Sequence, residues 1–243
     1  MRYAIISDIH ANYEALSAVL ARIENTDIDG LICLGDIVGY GAQPVACLET
    51  IMALGCDTIA GNHDWAAIGR LSLDHFNRYA REAVLWTRSQ LSERHKEWLA
   101  ALPLIRCYAG FAVAHGTFHQ PEAFHYLLNL GDIEASFQVL KELGVAVGFV
   151  GHTHVPLAAF DTDPIRRCAD TQISLGGECA ALLNVGSVGQ PRDHNPMAAF
   201  CMFDTDGGTA AIVRSSYDID GAADKILAAR LDPYLGKRLY LGH

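Results

Sequence analysis

Short apolar runs recur along the chain at residues 3–7, 31–34, 58–60, 111–114, 147–150 and 182–185. Runs this short and this apolar predict buried β-strands. Between several of them the spacing turns helical. Leu16, Val19, Leu20 and Ile23 recur at i, i+3, i+4 and i+7, the stripe of an amphipathic helix. Val45, Leu48, Ile51 and Met52 form a similar stripe before Gly55, and Phe137, Leu140 and Leu143 before Gly144. A glycine just past a helix can take the left-handed turn that ends it. Strand and helix in alternation predict α/β layering with much parallel pairing. Residues 198–204 and 210–217 predict a hairpin around Asp206-Gly207-Gly208, forming either a second sheet or antiparallel additions to the first.

Residues 65–102 break this rhythm. They carry Trp65, Phe76, Tyr79, Trp86, Trp98 and Leu99 with little β-character, and predict two or three inserted helices. Such an insertion is either a lid beside a site or plain packing. No repeat or linker interrupts the chain, so residues 1–243 are expected to form one domain.

Composition narrows the class. A charged fraction of 19% against 51% hydrophobic residues excludes a disordered chain. The 28 acidic and 18 basic residues leave a formal charge of −10, with no basic run to track long nucleic acid. Small phosphorylated substrates stay open, because bound cations can reverse the local field. No apolar run approaches the roughly 20 residues of a bilayer span, so no membrane partner is expected. The first charge comes too early for a signal peptide. Cysteines 33, 47, 56, 107, 168, 179 and 201 are odd in number and form no C-x-x-C pair. They are expected to be reduced and structural, in a cytoplasmic protein.

Five polar patches follow the apolar runs: Asp8-Ile9-His10, Gly35-Asp36, Gly61-Asn62-His63-Asp64, His115-Gly116 and Gly151-His152-Thr153-His154. Alone, each also reads as a turn or cap. Besides Asp64, they supply two carboxylates, one amide and four imidazoles, enough for two metal ions, with one more imidazole to spare. Loops at the carboxyl ends of strands gather at one edge of an open α/β sheet, which would bring the patches together. Asp8 and His10 point the same way in an extended segment and could grip one cation. Asp36, with two oxygens, is the natural bridge, while Asn62 can give only a neutral oxygen. His115, His152 and His154 would complete the shells.

This ordered set resembles the calcineurin-like metallophosphoesterase superfamily, whose signature runs D-x-H, G-D, G-N-H-D/E, H and G-H-x-H. The match is complete over residues 8 to 154. Chain length and the stretch Asn184-Val185-Gly186-Ser187-Val188-Gly189-Gln190-Pro191-Arg192 are similar to the small, single-domain bacterial and archaeal phosphodiesterase branch. The resemblance implies a four-layer α/β/β/α sandwich. It implies one metal held by Asp8, His10, Asp36 and His154, and a second by Asp36, Asn62, His115 and His152. A water bridging the two would attack phosphorus as hydroxide. Beside Asn62, His63 would face the leaving oxygen as general acid or cationic clamp. Asp64 would orient His63, or else cap the following helix.

Mixed oxygen and imidazole donors without thiolate suit Mn²⁺ foremost, then Fe, Zn²⁺, Co²⁺ or Ni²⁺, over Ca²⁺. Arg192 could take a substrate phosphate in a bidentate grip, unless Asp193 beside it neutralises a plain surface arginine. His194 has a weaker claim of the same kind. His119 and His125, close to Phe118, Phe124 and Tyr126, either line the pocket or are simply solvated. Trp65, Phe76 and Trp86 could stack on a nucleobase, which favours a nucleotide anhydride or diester over a sugar phosphate. Two other classes compete. A protein-binding scaffold on this fold should have lost ligands, and none is missing. A metallo-β-lactamase-type hydrolase needs an H-x-H-x-D-H run, which is absent.

Overall fold

The computed structural model describes residues 1–167, 172–175 and 179–243. Cys168 therefore lies outside the described residues. The predicted alternation is present as β1 (Arg2–Ile6), α1 (Tyr13–Glu24), β2 (Gly30–Cys33), α2 (Pro44–Leu54) and β3 (Asp57–Thr58). The three strands pair in parallel. Asn12 starts α1 by accepting the Ala15 N–H. Gly55 ends α2 in the left-handed region at φ 60°.

Residues 65–102 are helical, as their composition indicates. They comprise the second half of α3 (Asn62–Ala67), then α4 (Arg78–Gln90) and α5 (Glu93–Ala101). The first helix begins inside the polar motif, three residues earlier than expected. The chain continues through β4 (Ile105–Tyr108), β5 (Phe111–Ala114), α6 (Leu130–Glu142), β6 (Val147–Val150), β7 (Leu157–Phe160), β8 (Asp163–Arg167), β9 (Gln172–Ser174) and β10 (Ala181–Asn184). It ends with β11 (Ala198–Asp204), β12 (Thr209–Ser215), α7 (Ile219–Ala228), α8 (Pro233–Lys237) and a 3₁₀ turn, Arg238–Tyr240.

The described residues form two six-stranded sheets. One runs β3-β2-β1-β11-β12-β9, and the other β4-β5-β6-β10-β7-β8. The hairpin of β11 and β12 joins the first sheet, antiparallel to β1. The parallel strands β5, β6 and β10 form the heart of the second. Apolar residues on both faces explain the layering. Ile5, Ile32 and Leu34 of the first sheet share a core with Phe111, Phe149 and Leu183 of the second. Phe203 meets Phe111 and Phe149 there, with ring centres 5.2 and 4.9 Å apart. On the outer faces, Ala4, Ile6 and Cys33 pack under Leu16, Val19, Leu48 and Ile51 of the helices, and Ala112, Val150 and Leu182 under Ile133 and Leu140. Helices outside two facing sheets make an α/β/β/α sandwich. No helix among the described residues is long and apolar enough to cross a membrane.

Candidate metal centre

The parallel strands of both sheets end at one edge, and the loops that follow them are stitched together through their backbones. The N–H groups of Asp8 and His10 donate to the carbonyls of Gly35 and Asp36. Gly151 N–H donates to His115, and Val188 and Gly189 donate to Ser7 and Asp8. Within this weave, Asp8, His10, Asp36, His152 and His154 all have φ between 48° and 66°, the left-handed region that costs an ordinary residue energy. Such strain persists only where the surroundings over-determine it. Two glycines let the loops approach so closely: a Cβ at Gly61 would collide with Asp36 Oδ1, and one at Gly151 with Ser7 Oγ.

These loops bring all seven expected ligands together, each less than a tenth exposed. Asp8, His10 and His154 offer donor atoms within 4.8 Å of one another, as do Asp36, His115 and His152. A third such group is His10, Asp36 and His63. Asn62 Oδ1 lies 3.2 Å from His115 Nε2.

The direction of the lone pairs is decisive. His10 Nδ1 is 3.1 Å from the Val38 carbonyl, His115 Nδ1 2.7 Å from Leu34 and His154 Nδ1 2.6 Å from Gln190. A carbonyl only accepts, so each Nδ1 carries the proton and each Nε2 of the neutral ring presents a lone pair. Those of His10 and His154 face one another at 3.0 Å. Asp8 Oδ2 accepts the His152 N–H at 2.9 Å, and Asp36 Oδ1 the His63 N–H at 2.8 Å. The remaining oxygens, Asp8 Oδ1 and Asp36 Oδ2, are buried without a hydrogen-bond donor. They lie 3.3 Å from His154 Nε2 and His115 Nε2 respectively. Acceptors pointed at acceptors in a dry site are costly unless a cation lies between them. The donor set thus fits divalent cations.

Charge tells the same story. Burial works to raise Asp8, but the charges of His154 and His115 prevail and hold it at about 2. Burial pushes His10 and His152 well below the usual imidazole value. At His115 burial is outweighed by Asp36 and Asp8, which lift it to about 9, so that without a cation a proton on Nε2 fills the place between His115 and Asp36 that a metal would take. The two carboxylates draw positive charge to the centre.

His63 sits at the edge of the cluster. Its ring centre is 4.8 Å from His10, 4.5 Å from Tyr40 and 5.0 Å from Phe76. Burial brings it down to about 4 despite Asp36. Asp64 does not orient it. The Asp64 carboxylate accepts the N–H groups of Asp36, Ile37, Val38 and Gly61, at 2.8 to 3.3 Å, and no hydrogen bond joins it to the His63 ring. Asp64 is the helix-capping residue of the two alternatives, and it also pins the Asp36 loop.

A cavity of about 180 Å³ opens beside His63, lined in part by Tyr40, Phe76, Phe124, Tyr126 and His152. Trp65 and Trp86 are not in its wall. Trp65 packs edge-on against Phe124, and Trp86 joins the helical cluster of α4, α7 and α8. His119 and His125 are exposed and do not line this cavity, while Tyr126 stacks on His152 at 3.9 Å. Arg192 is near enough to depress His10, His63 and His154. Asp193 does not neutralise it, because that carboxylate pairs with Arg214. His194 is exposed and packs edge-on against His243. Sequence reasoning missed Tyr40 and Gln190. Tyr40 had a faint signal in its flanking glycines, Gly39 and Gly41.

Residues 1–208 match the family described as the calcineurin-like phosphoesterase superfamily domain. An uncharacterized protein of Methanocaldococcus jannaschii is 40% identical over 98% of this chain and 97% of its own length. A crystal structure of a metallophosphoesterase from Sphaerobacter thermophilus superposes with a TM-score of 0.89 at 36% identity, covering 100% of this chain and 99% of that one. A hypothetical protein of Pyrococcus horikoshii shares the fold at a TM-score of 0.79 and 21% identity, covering 100% and 98% of the two chains. With its strand-end motifs gathered into one buried cluster, this chain belongs to the calcineurin-like phosphoesterase superfamily.

Proposed function

We propose that the protein hydrolyses a phosphoester or phosphoanhydride of a small molecule with the help of two divalent cations. One would be held by Asp8, His10, Asp36 and His154, and the other by Asp36, Asn62, His115 and His152. The observation that carries this reading is the pair of donor-less buried oxygens, Asp8 Oδ1 and Asp36 Oδ2, set among imidazole lone pairs. When bound, such cations lower the pKa of a water nucleophile and polarise phosphoryl oxygens.

The chain's own residues do the rest. Four backbone N–H groups on Asp64 hold the Asp36 loop still, so the bridging carboxylate is preorganised. The Val38, Leu34 and Gln190 carbonyls fix the imidazole tautomers. His63, whose Nδ1 has no partner, would hold a proton toward the leaving oxygen or meet its charge. Arg192 would hold a phosphate oxygen of the substrate. Phe76, Phe124 and Tyr126 would offer apolar faces to a base, which favours a nucleotide substrate. The cysteine pattern and the proposed substrate together suit a cytoplasmic enzyme.

The test is Asp36→Asn. Removing the shared charge should lower the content of both metals in elemental analysis of the purified protein, and abolish turnover of nitrophenyl phosphate esters. A variant that kept two metals and near-normal turnover would refute the assignment.

A further inference from the structure

Beyond the metal cluster, two guanidinium groups converge on one ring. Arg192 Cζ lies 5.5 Å from the centre of Tyr40, and Arg238 Cζ lies 5.7 Å from it. Tyr40 in turn touches His10 and His63, with ring centres 4.8 and 4.5 Å away. Arg238 belongs to the 3₁₀ turn, which is anchored by the buried Leu239 beside the helical cluster containing Tyr40. The two residues are 46 positions apart in the chain.

Arg192 Nη2 donates to Gln190 Oε1 at 2.8 Å, its guanidinium also reaches the Tyr126 hydroxyl, and its Nε is buried with no partner. Arg238 Nε donates to the His243 carbonyl, and its Cζ lies 5.5 Å from the Tyr234 ring. No Asp or Glu side chain among the described residues pairs with either, although the chain has ten more acidic than basic residues. The one acidic neighbour in sequence, Asp193, is turned away to Arg214. Partial burial and the charge of Arg192 both lower Arg238, so the two cations feel each other. Tyr40 offers a π face to both, which offsets part of their repulsion. An anion between them would relieve the remainder.

We infer that Arg192 and Arg238 hold a second phosphate of the substrate, next to the one at the metal centre. The preferred substrate class is then a small molecule bearing two or more phosphates, such as a nucleoside polyphosphate. Guanidinium forks match phosphate oxygens two at a time, and rigid neighbours make such a grip selective. The inference rests on the phosphoesterase reading, and it adds Arg238, from the far end of the chain, to the residues that choose the substrate.

The experiment compares ATP with AMP, so that base and ribose contacts cancel, with nitrophenyl phosphate as the activity check. In Arg238→Gln the ratio of kcat/KM for ATP to that for AMP should fall about tenfold or more, the size of a lost charge-assisted phosphate contact. Arg238→Lys should recover part of the ratio, and Lys237→Gln, on the exposed neighbour, should leave it unaltered. Calorimetry supplies a second readout. Methylenediphosphonate should bind the Mn²⁺-loaded protein more tightly than methylphosphonate, and Arg238→Gln should erase that advantage. An unchanged ATP to AMP ratio, with the diphosphonate advantage intact, overturns the clamp. If the wild-type protein hydrolyses none of the three esters, the phosphoesterase reading falls, and the diphosphonate comparison alone decides the clamp.

Discussion

His63 lies eight residues before Leu71, the first cavity-lining residue of the insertion, and one residue after a proposed ligand, yet its surroundings differ from those of the ligands. No carbonyl fixes its Nδ1, which is buried and without a partner. The rings of Tyr40 and Phe76 flank it and keep water away. In His63→Ala the metal content should therefore stay at the wild-type value while turnover falls by roughly 10²–10⁴, the usual worth of a positioned proton donor. Esters with good leaving groups need that proton least and should suffer least. Equal losses for nitrophenyl and alkyl esters would leave His63 a charge clamp, and loss of metal would make it a ligand.

At the level of elements, the segment between α3 and α4 puts Leu71, Ser72, His75, Phe76 and Asn77 into the cavity wall. It follows α3, which carries His63 in its first turn, so its position is tied to that of His63. Phe76 is the aromatic residue of the insertion that reaches the cavity. Replacing it with alanine removes a stacking face worth roughly 1–3 kcal/mol per base, so KM for a nucleotide should rise about fivefold or more. KM for nitrophenyl phosphate serves as the comparison in the same kinetic series. A similar rise for both substrates would show that Phe76 merely supports His63.

On the scale of the whole molecule, the centre ties one sheet to the other. Asp8 and Asp36 follow strands of the first sheet, and His115, His152 and His154 follow strands of the second. Cations shared between them would act as cross-links present only in the folded state. At a free metal concentration of about 100 Kd this contributes roughly 2.7 kcal/mol. For a chain of this length that should raise Tm by about 5–10 °C. Scanning calorimetry with Mn²⁺ and then with excess chelator measures it. Identical midpoints would mean that the folded protein does not hold the ion.

The linear chain determined the elements that are self-sufficient and the motifs that punctuate them. Continuous apolar runs became β1, β2, β5, β6 and β10, and regular helical stripes became α1, α2 and α6, because burial enforces those periods locally. Five ordered patches were enough to name the candidate ligands, since few other reasons put so many imidazoles after buried strands. β4, β7, β8 and β9 were not legible. They are short strands, and β4, β8 and β9 are edge strands with β7 beside one, where pairing with a distant partner replaces a strong pattern of their own. Only the tertiary structure divided the parallel strands between two sheets, gave the Asp64 oxygens to backbone N–H groups, and turned Asp193 from Arg192 to Arg214. Only it carried Arg238 to Tyr40, across 198 residues of chain. These outcomes depend on directions in space between residues far apart in the chain, and periodicity along a chain carries no information about such directions.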